Sequence, residues 1–149
     1  MKRWRVRATC AVLALLASTA PSRAETVVET ALRWDLLGTW RVSCSLPAHF
    51  FDPLETYVVR GTVLFFEQDP GNGKQTASVS SAVIQNDGKI ELTLVDEGAR
   101  RRRKNVLERN HEGRIRLLTS RDDVTGTFYV RDARMANGMR GFDWQQRCP

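Results

Sequence analysis

Histidine and cysteine are scarce in this chain, which has two histidines and three cysteines among its 149 residues. His49 and His111 stand far apart, and no other residue near them gives the spacing of a metal-binding motif. The chain also lacks a nucleophile elbow and a glycine-rich phosphate loop. We therefore expect no cofactor, no metal site and no enzymatic activity, and we predict that both histidines are loop residues.

Long hydrophobic runs are absent too. The apolar run Ala11 to Ala17 is too short to cross a hydrocarbon core of roughly 30 Å as a helix. Small residues follow it as far as Ala24, and basic residues precede it at Lys2, Arg3, Arg5 and Arg7. This order predicts a signal peptide over residues 1–24 and a periplasmic or secreted mature protein that is not embedded in a membrane. An uncleaved anchor or an amphipathic surface helix is the alternative.

The excess of basic residues belongs mainly to the leader. The whole chain has 23 Lys and Arg against 17 Asp and Glu, a formal net charge of +6. Five of the basic residues and none of the acidic ones lie in residues 1–24, so the mature chain is almost neutral. Nucleic-acid binding needs a persistent basic face, and we therefore expect no nucleic-acid partner.

Removal of the predicted signal peptide also limits which cysteines can pair. With Cys10 removed in the leader, Cys44 and Cys148 remain, and two thiols in an oxidising compartment are expected to pair. A disulfide that closes about 100 residues contributes about 4 to 5 kcal/mol in the chain-entropy model. The remaining residues fit one monomeric domain over 36–149, preceded by a short N-terminal helix or arm over 25–35.

Alternating apolar and polar residues dominate the domain and predict strands with few helices between them. Turn signals such as Asn86-Asp87-Gly88 separate the strands. We predict eight strands, over Gly38–Cys44, Tyr57–Glu67, Gln75–Gln85, Lys89–Val95, Val106–Arg109, Arg114–Ser120, Val124–Arg131 and Arg140–Arg147. The predicted fold is an all-β, eight-stranded antiparallel up-and-down β-barrel. An open two-sheet sandwich is the alternative.

The two cysteines share a strand face with aromatic residues. Cys44 has the parity of Trp40 on the first strand, and Cys148 has that of Trp144 on the last. The disulfide would then join the first strand to the last. In a simple eight-stranded barrel, however, the two sulfurs would lie at opposite rims, so either the strand count or the path of the tail after Gln146 must differ.

The segment Leu37-Gly38-Thr39-Trp40, followed by the strand meander and a late arginine, resembles the lipocalin and wider calycin pattern. In that family the tryptophan plugs the closed end of the barrel, and an arginine packs across its ring. The resemblance implies the first role for Trp40 and the second for Arg140 or Arg147. The Thr-Asp-Tyr turn motif of lipocalins is absent here. The resemblance also implies a pocket for a small hydrophobic ligand.

Alternating apolar faces predict the lining of such a pocket. The candidate lining residues are Val63, Phe65, Ile90, Leu92, Ile115, Leu117, Phe128 and Val130. From the lining and the two aromatic strands, the candidate ligand-binding residues are Trp40, Phe65, Leu92, Leu117, Phe128 and Trp144. Because many of the lining side chains are large, a solid core without a cavity is the alternative.

Arg100 to Lys104 is the most prominent charge cluster. We interpret it as a solvated hairpin tip, with an acidic lipid, polysaccharide or protein as the alternative partner. The chain is also similar in plan to small periplasmic barrel inhibitors of secreted metalloproteases, in which an N-terminal arm enters the protease cleft. Residues 25–35 would be that arm. An enzyme would need a carboxylate or histidine inside the cavity, and the acids to examine are Glu67, Glu108 and Asp143.

Overall fold

A computed structural model describes residues 24–138 and 140–149, so almost all of the predicted signal peptide lies outside the described residues. The described chain is mostly antiparallel β-structure, which confirms the all-β prediction. It has one helix and ten strands, two more than expected. Their bounds are α1 Val27–Arg33, β1 Gly38–Arg41, β2 Leu54–Arg60, β3 Val63–Asp69, β4 Gln75–Ile84, β5 Ile90–Asp96, β6 Arg102–Arg109, β7 Ile115–Asp122, β8 Phe128–Arg131, β9 Arg134–Met135 and β10 Gln146–Cys148.

The strands form one sheet in the order β10-β1-β2-β3-β4-β5-β6-β7-β8-β9. From β1 to β9 each strand pairs with the next in sequence, and β10 returns to pair with β1. Ile115 and Gln145 exchange two backbone hydrogen bonds of 3.0 and 2.8 Å, which link the residue before β10 to the start of β7. This contact is an isolated bridge, so strand pairing does not run continuously around the sheet.

The predicted single strand Tyr57–Glu67 was wrong, because a hairpin interrupts it. Arg60 lies opposite Val63, and Gly61 and Thr62 make the two-residue turn. Gly61 has φ +61°, a conformation that glycine adopts without a steric penalty. Because of this turn, the side chains of β3 point to the opposite sides from those expected. Leu64 and Phe66 are buried, and Val63 is exposed.

The basic run was predicted as a hairpin tip, and this was wrong for most of it. Arg102, Arg103 and Lys104 lie in β6, which begins four residues earlier than expected. Each has a carboxylate partner: Arg102 contacts Asp123 at 3.1 Å, Arg103 contacts Asp96 at 3.2 Å, and Lys104 contacts Asp123 at 3.4 Å. Cross-strand ion pairs therefore stabilise this part of the sheet.

Residues 25–35 form a packed helix. A capping box begins α1, in which Thr26 Oγ1 accepts a hydrogen bond from the Glu29 amide and Glu29 accepts one from the Thr26 amide. Ala31 is fully buried, and α1 packs against β3 and β4. Trp34 Nε1 then donates to the Gly88 carbonyl at 2.8 Å. These contacts place the helix over one end of the sheet, where the apolar core lies.

Cys44 and Cys148 form a disulfide that spans 104 residues, with their Cα atoms 5.5 Å apart. Cys148 lies opposite Thr39 in the β1–β10 pair, whereas β1 ends at Arg41. The chain must therefore turn back after Arg41 to bring Cys44 beside Cys148. This turn explains how the two cysteines meet, and it lies after the first strand instead of in the tail.

Candidate functional site

Trp40 sits in the core below α1, and an arginine covers one face of its ring. Trp40 is 1% exposed and donates from Nε1 to the Leu36 carbonyl at 2.8 Å. Of the two arginines that the resemblance allows, Arg147 takes this place, with its Cζ 4.7 Å from the ring centre. Gly38 has φ +126°, and a Cβ there would lie 3.3 Å from Arg147 Cδ. The glycine of the Gly-x-Trp segment thus leaves room for the stacked arginine.

Arg109 holds the same end of the molecule together, although no sequence pattern singled it out. Its guanidinium donates to the Trp34 and Asp35 carbonyls at 2.7 and 2.8 Å. Its Cζ also lies 4.5 Å from the Trp34 ring centre. A surface hollow of about 400 Å³ adjoins Trp40, Arg109 and Arg147. Because the two arginines are engaged with α1 and its C-terminal turn, this hollow is a structural feature of the end that α1 covers.

A larger cavity, of about 460 Å³, lies inside the sheet away from α1. Its volume is in the range of small-molecule sites. Its apolar lining includes Tyr57, Phe66, Leu107, Leu117, Val130 and Phe142. Its polar lining includes Glu55, Gln68, Arg103, Asn105, Ser120 and Gln145. The cavity therefore combines a large aromatic and aliphatic surface with a group of polar side chains.

Glu55 is a buried acid of this lining, with 9% exposure. It lies directly opposite Gln68 in the β2–β3 pair, and Gln68 Nε2 donates to it at 3.1 Å. Burial raises the pKa of Glu55, while hydrogen bonds from Gln145 and Gln68 and the charge of Arg103 lower it in part. Burial also raises the pKa of Tyr57, helped by the charge of Glu55. The two groups therefore share one desolvated environment.

Two polar atoms of the lining have no hydrogen-bond partner among the described residues. They are Asn105 Oδ1 and Arg103 Nε, and both atoms are buried. Asn105 as a whole is 5% exposed, while Arg103 reaches Asp96 Oδ1 with Nη2 at 3.2 Å. Buried polar groups in native structures are almost always hydrogen-bonded, and an unpaired one costs about 1 to 3 kcal/mol. Both side chains stand on the same face of β6, two residues apart.

The loop between β1 and β2 forms the mouth of the cavity, and a buried ion pair holds it. Arg41 Nη2 contacts Asp52 Oδ2 at 3.0 Å, and both side chains are less than a tenth exposed. Asp52 also accepts the Val42 amide at 3.0 Å. At the tip of this loop Phe50 is 74% exposed and Phe51 is 56% exposed. The pair fixes a loop that presents aromatic side chains at the cavity mouth.

The structure distributes the predicted ligand-binding residues over three environments. Leu117 lines the cavity, whereas Trp40 and Leu92 belong to the fully buried core. The other three lie outside the lining under arginine side chains: Phe65 below Arg60, Phe128 below Arg131 and Trp144 below Arg116. Of the wider predicted lining, Val130 lines the cavity, Ile90 and Ile115 are core residues, and Val63 is exposed.

The acids and histidines considered for catalysis also have definite places. Glu67 pairs with Arg60 and Lys74, and these partners lower its pKa. Glu108 pairs with Arg116, and Asp143 lies at the cavity. His49 is exposed, and its Nδ1 accepts the Phe51 amide at 3.2 Å. Two buried acids line the cavity, Asp52 and Glu55, and neither was selected from the sequence, because both lie outside the predicted strands.

The described part of the chain contains no group of three His, Cys, Asp or Glu side chains placed to hold a metal ion. Within the same residues, no helix combines the length and the apolar character needed to cross a membrane. In comparisons with protein-family profiles, curated proteins and solved structures, the chain matches none of them. The candidate site therefore has to be interpreted from its own geometry.

Proposed function

We propose that this chain is an exported, non-enzymatic β-protein that binds a small amphipathic molecule in the cavity of about 460 Å³. Glu55 supplies the buried carboxylate that an enzyme would need, but no histidine or cysteine among the described residues lines the cavity beside it. The observation that carries the proposal is the pair of buried, unpartnered atoms in the lining, Asn105 Oδ1 and Arg103 Nε. A ligand with a polar end would supply the missing hydrogen bonds. Its apolar part would rest on Phe66, Leu107 and Leu117.

We further propose that the sheet works as a lipocalin-like barrel. Three observations support this. The strands form a sequential meander, Trp40 and Arg147 stack at the end covered by α1, and the Ile115–Gln145 bridge joins β7 to the segment before β10. A barrel closed at one end leaves its other end free for a ligand. Export to the periplasm or the medium is compatible with the Cys44–Cys148 disulfide.

Protease inhibition through an N-terminal arm is less well supported. Ala31 is fully buried, and Trp34 is hydrogen-bonded to Gly88, so residues 25–35 are engaged with their own domain. An inhibitor of the arm type would have to release the helix before it entered a cleft. The corresponding test is deletion of residues 25–32, which should abolish inhibition of a target protease if the arm mechanism holds.

Ligand binding is tested with the fluorescent probe N-phenyl-1-naphthylamine and two matched variants. Leu117→Trp fills the cavity, whereas Leu32→Trp adds the same side chain on the exposed face of α1. We expect the wild type and Leu32→Trp to enhance the probe's fluorescence to the same extent, and Leu117→Trp to lose the enhancement. Far-UV circular dichroism checks that both variants fold. Equal enhancement by a folded Leu117→Trp would contradict binding in this cavity, and no enhancement by the wild type would contradict the proposal itself.

A further inference from the structure

The polar side chains of the cavity carry information about the chemistry of the ligand, and this step rests on the proposed binding function. Asn105 presents an unpartnered acceptor, Oδ1, and its amide also carries a donor nitrogen beside that oxygen. Arg103 Nε, on the same face of β6, presents an unpartnered donor. The site therefore offers a donor and an acceptor side by side, and a further donor next to them.

An anionic ligand fits these surroundings poorly. Glu55 lies in the same cavity at 9% exposure. The ionisable side chains of the lining nearly balance, with the acids Asp52, Glu55, Asp96 and Asp143 against the arginines Arg101, Arg103 and Arg140. Arg103 is already paired with Asp96 at 3.2 Å. A second carboxylate placed beside Arg103 would have to compete with Asp96 for the guanidinium, and burial would disfavour its charged form as it does that of Glu55.

A cationic ligand fits equally poorly. The donor Arg103 Nε and the guanidinium charge stand two residues from Asn105, so an ammonium group at Asn105 Oδ1 would approach a fixed positive charge. Glu55 is a poor counter-ion for such a group, because burial disfavours its charged form and Gln68 and Gln145 already donate hydrogen bonds to it. The charges lining the polar end thus favour a neutral group.

We infer that the cavity takes a neutral, flat ligand whose polar edge carries a hydrogen-bond donor beside an acceptor, as a carboxamide or a lactam does. Asn105 can pair with such an edge through two parallel hydrogen bonds, in the way an asparagine amide pairs with the edge of a heterocyclic base. Arg103 Nε donates to the acceptor of the same edge. The flat body of the ligand packs against the rings of Tyr57 and Phe66, whose centres lie 5.1 Å apart.

The test compares three compounds that share a naphthalene body and differ in their polar group: naphthalene-2-carboxamide, 2-naphthoate and 2-naphthylmethylammonium. Each competes with N-phenyl-1-naphthylamine at pH 7. We expect the carboxamide to bind at least about tenfold tighter than either ion, which corresponds to about 1.4 kcal/mol. Equal or tighter binding of an ion overturns the inference. So does failure of all three compounds while the fluorescent probe binds, and failure of the probe as well overturns the proposed function.

Variants of Asn105 give the second readout. In Asn105→Leu, which is similar in size, the carboxamide should weaken by about tenfold while the fluorescent probe keeps its affinity within about twofold. Asn86→Leu, an exposed change in the β4–β5 turn, is the matched control and should leave both affinities unchanged. If Asn105→Leu fails to fold, Asn105→Asp serves instead, and it should move the preference from the carboxamide to the ammonium compound. Unchanged preference in a folded Asn105 variant overturns the inference.

Discussion

The disulfide gives the largest single effect on stability that the structure predicts. Cys44 and Cys148 close a loop of 104 residues, which includes almost all of the described chain. In the chain-entropy model a crosslink over about 100 residues contributes about 4.7 kcal/mol by restricting the unfolded chain. Domains of this size have total unfolding free energies of about 5 to 15 kcal/mol. Removal of the disulfide should therefore lower the free energy of unfolding by a large fraction of its total.

The assay is equilibrium unfolding in urea, followed by tryptophan fluorescence, for the oxidised wild type and for Cys44→Ala/Cys148→Ala. Both sulfurs are only half-buried, so the alanines leave no large core cavity. We expect a loss of about 3 to 5 kcal/mol with an unchanged far-UV spectrum of the folded state. A loss below about 1 kcal/mol would refute the reasoning, because it would mean that the unfolded chain is not constrained by the crosslink.

Two further predictions concern single side chains. Glu55 has a raised pKa in the folded protein, so the fold binds this proton more tightly than the unfolded chain, and stability should fall as pH rises from the ordinary value of 4.5 through the raised pKa. Glu55→Gln should remove that decline, and parallel stability curves for wild type and variant over this range would contradict the argument. Arg109→Lys keeps the charge but loses the hydrogen bonds to Trp34 and Asp35, and urea unfolding should show a loss of about 2 to 3 kcal/mol. The exposed change Arg100→Lys is its control, and a loss below about 0.5 kcal/mol in Arg109→Lys would contradict the role assigned to it.

Local patterns were sufficient to predict much of the architecture. The alternation around Trp40 indicated a strand with the indole inside, and the Asn86-Asp87-Gly88 turn marked the β4–β5 hairpin correctly. The Cys44–Cys148 disulfide was predicted correctly, because only two cysteines lie outside the predicted signal peptide and an oxidising compartment favours their pairing. These features depend on a few neighbouring residues or on composition, so tertiary contacts do not change them.

The inward-pointing side chains of a strand were harder to predict where few residues mark the preceding turn. Between Tyr57 and Glu67 the chain is almost continuously apolar or β-branched, and Gly61 alone marks the reversal. Because side chains alternate with a period of two, the missed turn changed which residues of the next strand were expected inside. Phe65 was therefore selected for the pocket, while Phe66 lines it.

The polar lining could not be predicted, because the method of prediction assumes that inward positions are apolar. Glu55, Arg103 and Asn105 stand at inward positions of β2 and β6, where they interrupt the apolar alternation. Within the basic run Arg100 to Lys104, Arg103 was predicted to be solvated like its neighbours. Its inward position depends on the register of β6 against β5. Pattern analysis treats such positions as solvent-facing, so the residues that define a polar site inside a β-sheet are the ones it misses.

The position of these polar residues also explains why the two ends of the molecule differ so much. Around Trp40 the indole reaches the Leu36 carbonyl, and Arg109 reaches the carbonyls of Trp34 and Asp35. At the other end Asn105 Oδ1 is buried and unpaired, at a cost of about 1 to 3 kcal/mol that the fold alone does not recover. The contacts around α1 and the long disulfide supply stability that offsets this cost. An apolar side chain at residue 105 would avoid this cost, so the buried asparagine is the feature that the proposed ligand would explain.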